Sequence, residues 1–135
     1  MKSNKFKNVL LLYVVLLAII SAIAYNYVYK NHRNISSEEA VYSIEVSELF
    51  QEFLINQETS NAKYANKTIE IYGTITTLDL ENQIIVLNEQ LLLNGEKIEF
   101  QILNVGEKHT FKGRFVGFDD LLEELKMDQC IRIKK

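Results

Sequence analysis

Cysteine is nearly absent. Cys130 is the only one in 135 residues, which excludes an intramolecular disulfide and any cysteine-rich metal centre. No cysteine follows the apolar run at the N-terminus, so the sequence offers none for lipid modification there. Histidine is almost as scarce: His32 and His109 form no HxH or HExxH spacing. There is no GxSxG, no phosphate-cradling glycine loop and no zinc pattern. Ser36 and Ser37 suit a polar linker better than a nucleophile. No metal, no cofactor and no catalysis are therefore expected. Proline is missing, glycine is limited to five positions, and neither a long-period repeat nor a low-complexity segment is seen.

Acidic residues are missing from the first 30 positions. All 18 follow Lys30, against 11 of the 15 Lys and Arg, so 11 minus 18 leaves the part beyond Lys30 at −7. Such a charge opposes binding to phosphate backbones, which need a basic patch. What stands in the N-terminal stretch instead is Lys2, Lys5 and Lys7, followed by the uncharged run Val9 to Val28. About 20 apolar residues in a helix span a bilayer. Tyr25, Tyr27 and Tyr29 gather where an interfacial aromatic belt would lie. The expectation is a retained single-pass anchor contacting the membrane through residues 9–28. A cleaved signal peptide is the alternative, because "AIA", Ala22 to Ala24, fits the small-residue cleavage pattern. Either way the rest of the chain is expected outside the cytoplasm, on the periplasmic side.

Residues 1–30 are thus read as anchor or signal peptide, 31–45 as a linker, and 46–135 as the folded domain. "VSELFQEFLINQETSNAKY" has helical spacing, with Val46, Leu49, Phe50, Phe53 and Leu54 on one face. Ser47 is a fair N-cap, and the helix is expected to run to about Lys63. "TIEIYGTITTL", Thr68 to Leu78, alternates as a strand, with Ile69, Ile71 and Ile75 inward. "DLEN", Asp79 to Asn82, turns the chain into "QIIVL". The next strand is expected at "EKIEFQIL", Glu96 to Leu103, with Ile98, Phe100 and Ile102 inward. "NVGEK" then leads to "HTFKGRFVGF", and "LKMDQCIRI" closes the set.

A helix followed by five short strands makes a protein that is mainly β with an N-terminal helix. Five strands leave two bare edges unless they close. Closure needs strong coiling, and a glycine within a long strand supplies a kink. Gly73 is assigned that role, with Gly113 and Gly117 serving the fourth strand. The expected architecture is a five-stranded OB-fold-like barrel preceded by a single transmembrane helix.

"VSELFQEF…NAKYANKTIEIYGTITTLD" and "FKGRFVGFDDLLEELKMDQC" resemble the tRNA-anticodon-like OB-fold family of small exported or membrane-anchored bacterial proteins, in the form seen in Bacteroidetes. The resemblance covers Val46 to Ile133. It implies a fold without an assigned function. Two departures stand out. Relatives commonly carry a longer segment, often with a helical turn, between the third and fourth strands, where "NVGEK" looks short. Some relatives have a second cysteine on the third strand, for which the corresponding place here is near Phe100, so disulfide pairing of Cys130 does not carry over.

The most distinctive loop is "FDDLLEE". Asp119, Asp120, Glu123 and Glu124 lie between the fourth and fifth strands, one of the usual ligand loops of an OB-fold. They are the candidate partner-binding residues, with an envelope protein or glycan as partner. The plainer reading is a solvated turn with Leu121, Leu122 and Leu125 tucked against the barrel. A cation site would need more ligands at set spacing. Nucleic acid binding, the alternative function, requires aromatic platforms and a basic groove. Tyr72 and the phenylalanines offer rings, but Lys112 and Arg114 make only a small patch. An enzyme of unrecognised type ranks last. Cys130 is read as a buried structural residue and His109 as a surface imidazole.

Overall fold

A computed structural model of the chain describes residues 2–28, 34–95 and 98–134. It comprises two compact units, Met1–Arg33 and Asn34–Lys135. The first is a single helix, α1, Lys2–Val28. Its stretch Lys5–Val28 is long and apolar enough to cross a membrane, and none of it is buried in protein. A helix apolar on every face has no water-facing side to offer.

The second unit is built from β1 (Tyr42–Glu45), α2 (Val46–Ile55), α3 (Gln57–Tyr64), β2 (Thr68–Asp79), β3 (Ile84–Leu87), β4 (Leu91–Asn94), β5 (Lys108–Asp119) and β6 (Glu124–Ile133). The sheet order is β1-β2-β3-β4-β6-β5, and β5 pairs back onto β2. Five strands therefore close into a barrel, and β1 is an added strand lying parallel to β2. Closure works because β2 changes partner midway. Thr68–Thr74 pairs with β5, and Ile75–Asp79 pairs with β3.

Gly73 stands at that changeover. It faces inward between Ile71 and Ile75, and all three are buried. A Cβ there would lie 2.9 Å from Val46 Cγ2 and 3.0 Å from Asn88 Oδ1. The empty inward slot is thus where the first turn of α2 seats. Val46, Leu49, Phe50 and Phe53 of α2 enter the same core as Ile69, Ile71, Ile75, Ile85, Phe111 and Phe115.

The structure corrects four expectations. The helix expected through Lys63 breaks at Asn56, whose extended backbone (φ −155°) ends α2 and whose side chain caps α3 by accepting from the Thr59 N–H. Ser47 lies inside α2, with Glu45 at the N-cap, and its hydroxyl instead accepts from Asn88 Nδ2 at 3.0 Å. Residues 34–45 are not a linker but part of the barrel unit. Ile35 is buried, the Lys112 ammonium donates to the carbonyls of Ser36 (3.2 Å) and Glu38 (2.8 Å), and Thr68 donates to the Glu38 carboxylate (2.5 Å). Residues 31–33 of the expected linker lie outside the described residues.

The fourth correction concerns the third barrel strand. It is Leu91–Asn94, not Glu96–Leu103. Within the latter, Phe100–Ile102 is a 3-10 turn, Ile98 and Phe100 are buried, and Ile102 is exposed; Glu96 and Lys97 lie outside the described residues. The segment between the third and fourth strands thus spans 95–107 and carries a 3-10 turn, longer than the "NVGEK" connection expected there. The β3–β4 connection is the three-residue loop 88–90, in which Asn88 (φ 51°) and Glu89 (φ 60°) both adopt the left-handed conformation, with Gln90 N–H donating to the Leu87 carbonyl at 3.0 Å. Such turns favour Asn-Gly. Glycine at the second position would remove the strain that glutamate bears there, so Glu89→Gly should raise the urea midpoint, by about 0.5–1 kcal/mol in stability. An unchanged or lower midpoint would contradict this account of the turn.

A repeat absent from the residue types appears in the geometry. The β2–β3 and β5–β6 hairpins match position by position with an offset of forty. Ile75↔Leu87, Thr77↔Val86, Leu78↔Ile85 and Asp79↔Ile84 in one become Phe115↔Met127, Gly117↔Lys126, Phe118↔Leu125 and Asp119↔Glu124 in the other. Both first strands have twelve residues, and both carry a bulge, at Thr76 and at Val116. Gly73 matches Gly113. The seam between the copies pairs Ile71 with its own counterpart Phe111, as a local two-fold axis through that pair requires.

Candidate partner-binding turn

The two copies end in the same turn. Asp79 Oδ1 accepts from the N–H groups of Glu81 (3.1 Å) and Asn82 (3.0 Å), and Asp119 Oδ1 accepts from those of Leu121 (3.1 Å) and Leu122 (3.2 Å). Four residues after each aspartate the chain takes a left-handed conformation, at Gln83 (φ 57°) and Glu123 (φ 50°). Aspartate closes such turns because its short carboxylate reaches its own backbone two residues on.

This divides the four candidate acids. Asp119 holds the turn and also pairs with Lys126 Nζ at 2.9 Å. The Lys126 hydrogen bond, followed by the backbone N–H of Leu122, holds the Asp119 carboxyl below its ordinary range. The Lys126 ammonium is raised in turn by Asp119. Asp120 and Glu123 are exposed, and Glu124 is half-buried at the start of β6. Asp119 is therefore not the freely solvated group that its neighbours are.

The leucines also stand differently from the plainer expectation. Leu125 is fully buried, but Leu121 is 95% exposed and Leu122 66%. The turn is too tight to fold either back onto the barrel. The result is an apolar tip between Asp120 and Glu123. On its flank runs a shallow groove of about 420 Å³, past Val116, Gly117, Phe118, Asp119, Asp120, Leu121 and Lys126.

The remaining site residues lie elsewhere. Cys130 is buried, and burial pushes its thiol well above the ordinary value. It is clamped by two glycines: a Cβ on Gly95 would stand 2.5 Å from the Cys130 carbonyl oxygen, and one on Gly113 would stand 2.5 Å from its Sγ. Gly117 differs, since a Cβ there would meet no atom of the described residues within 4 Å, and its φ is outside the left-handed region. His109 is half-buried and pairs with Glu107 at 2.9 Å, which holds the Glu107 carboxyl low. Sequence reasoning missed Asn88, which accepts from the Thr74 N–H at 2.7 Å while donating to Ser47. It also missed the ion pair of Arg114 and Asp128, which spans β5 and β6.

On OB-folds the second and third strands form the usual oligonucleotide face. Here β3 and β4 read IIVL and LLLN. Ile84, Val86 and Leu92 are half-buried on them, and neither strand has an aromatic ring to stack a base. Tyr72, 42% exposed, is on β2.

A closed five-stranded barrel in this order, with long coiled first and fourth strands, defines an OB-fold-like protein. Residues 1–124 match the tRNA_anti-like family model, and the chain belongs to the tRNA_anti-like family. Among solved structures it is similar to one from Klebsiella pneumoniae subsp. pneumoniae MGH 78578, described as a "putative nucleic acid-binding lipoprotein". The TM-score is 0.54 at 15% identity, over 77% of this chain and 100% of that one. That likeness is one of fold. No curated protein matches.

Proposed function

We propose that this chain is a membrane-anchored binding module of the cell envelope, without catalytic activity, whose barrel works outside the cytoplasm and meets a basic protein surface through the β5–β6 turn. The observation that carries it is the exposed tip Leu121-Leu122 set between Asp120 and Glu123, on a part of the chain with formal charge −7 beyond Lys30 by the count above. Exposed acids orient and steer a basic partner more than they tighten it. The contact is therefore weak and salt-sensitive.

The repeat supplies a clean variant. Replacing Asp120-Leu-Leu-Glu123 by Leu-Glu-Asn-Gln, the residues of the sister turn, keeps Asp119 and a backbone that the chain already uses. The exchange should leave the unfolding midpoint nearly unchanged. It should abolish recovery of the partner crosslinked at low salt in the native cells, and matter less at high salt, where exposed charges are screened. Equal recovery from both proteins would refute the reading. So would tight binding of single-stranded RNA or DNA by the unaltered protein at physiological salt, which the fold neighbour's description makes the natural rival.

Placement has its own test. With α1 retained, the protein should stay in the membrane fraction, and a periplasmically active reporter fused after Lys135 should work. Soluble protein with a new N-terminus at Tyr25 would show a cleaved signal peptide instead.

A further inference from the structure

We infer that the groove over Gly117 is a pocket for one apolar side chain of a basic, extended partner segment; the inference rests on the protein-binding reading of the β5–β6 turn. Glycine within a strand marks a tight turn, a bulge that needs its freedom, a close neighbour, or a ligand that approaches the backbone. The first three are answered here. Gly117 lies within β5, its φ is outside the left-handed region, and a Cβ on it would meet no atom of the described residues within 4 Å. The bulge does not demand glycine either. The same bulge in β2, with the same register, has Thr77 at the matching position. Gly73 and Gly113 differ in kind, since neighbours within 3.0 Å fill the space beside each. The bare backbone of Gly117 thus opens the groove for something outside the barrel.

The lining says what fits. Val116 (48% exposed) and Leu121 (95% exposed) offer apolar walls that water covers at a cost. Lys126 does not present a free charge, because Asp119 holds it at 2.9 Å. The unengaged charge beside the groove is the carboxylate of Asp120, with Glu123 at the far side of the tip. An aliphatic side chain over Gly117 with an arginine or lysine next to it in sequence satisfies both features. A phosphate-bearing ligand would meet carboxylates, and a purely cationic one would leave the apolar walls wet.

The test uses the full ¹⁵N-labelled chain in phospholipid nanodiscs and three capped eight-residue peptides, alternating Arg-Leu, Arg-Gly and Glu-Leu. Arg-Leu should shift the amide signals of Val116, Gly117 and Leu121 in a saturable way. Arg-Gly should bind about tenfold more weakly, since burial of one leucine side chain is lost, and Glu-Leu should not bind. Gly117→Thr, which copies Thr77, should fold with unaltered signals elsewhere and lose Arg-Leu binding by at least about tenfold. Leu121→Ala, at a fully exposed tip, should weaken it as well and serves if the threonine variant misfolds. Equal binding of Arg-Leu and Arg-Gly would overturn the pocket while leaving the charged contact standing. Unchanged affinity in Gly117→Thr or, should that variant misfold, in Leu121→Ala would overturn it too. If neither basic peptide moved the turn, both readings would fall together.

Discussion

Gly113→Val is expected to destabilise the barrel by about 3 kcal/mol, the upper part of the range for overpacking a filled core. A Cβ on Gly113 would stand 2.5 Å from Cys130 Sγ, 3.0 Å from the Asp128 carbonyl oxygen and 3.2 Å from Cys130 Cα. Two of those atoms are backbone of β6, which pairs with β5 on both sides of this point. Cys130 has little room to retreat, because Gly95, just beyond β4, lies against its backbone, where a Cβ would stand 2.5 Å from the Cys130 carbonyl oxygen. Urea unfolding of the variant against the wild type measures the loss. A second background makes the cause explicit. Cys130→Ala removes the sulfur, so Gly113→Ala should cost at least about 1 kcal/mol less in that background than in the wild type, a coupling typical of residues in contact. Additive costs would mean that the sulfur is not what the new methyl meets. The same packing buries Cys130, so its thiol should not react with labelling reagents until the barrel opens.

Gly73→Val should cost about 2 kcal/mol by the same overpacking, but through another element. Its Cβ would press on Val46 Cγ2 at 2.9 Å and on Asn88 Oδ1 at 3.0 Å. Both are side chains, so some of the strain can relax. Relaxation has a price in hydrogen bonds, since Asn88 joins the Thr74 N–H to Ser47. Moving it loosens the β3–β4 turn and the start of α2 together. Val46→Ala should recover part of the loss by making room for the new methyls. An unaltered urea midpoint in Gly73→Val would mean that α2 does not seat on the glycine.

How much of this could be read beforehand depends on the residue. The inward alternation of Ile69, Ile71 and Ile75 is legible because β2 keeps period two from Ile69 to Ile75, ahead of its bulge at Thr76. Barrel closure followed from a glycine inside a long strand. The reason for that glycine did not, because contact with Val46 and Asn88 joins residues far apart in sequence. The third strand was missed for two local reasons. Its turn places Asn88-Glu89 at the two left-handed positions, without the glycine that signals a tight hairpin. And Ile98, Phe100 and Ile102 have strand spacing, yet only the first two are buried, across a 3-10 turn. Asp79 and Asp119 were both placed in turns, but one was read as structural and the other as a ligand group. Only the shared hydrogen-bond pattern shows that Asp119 does what Asp79 does. The exposed Leu121 and Leu122 could not be foreseen, because apolar residues beside a strand are expected to fold inward, and the tightness of the turn is a matter of backbone angles.

The seam through Ile71 and Phe111 makes the barrel an interface of the isologous kind within one chain. Each position from Ile75 to Leu87 has a counterpart forty residues on in the same hairpin register, so the chain holds two solved answers to one folding problem. Threonine at 117, valine at 126 and asparagine at 122 are already known to suit that backbone from Thr77, Val86 and Asn82. Residues that agree between the copies, such as Gly73 with Gly113 and Asp79 with Asp119, belong to the shared architecture. Those that disagree at exposed positions are free to diverge, and they concentrate at the turn where Leu80-Glu81-Asn82 faces Asp120-Leu121-Leu122.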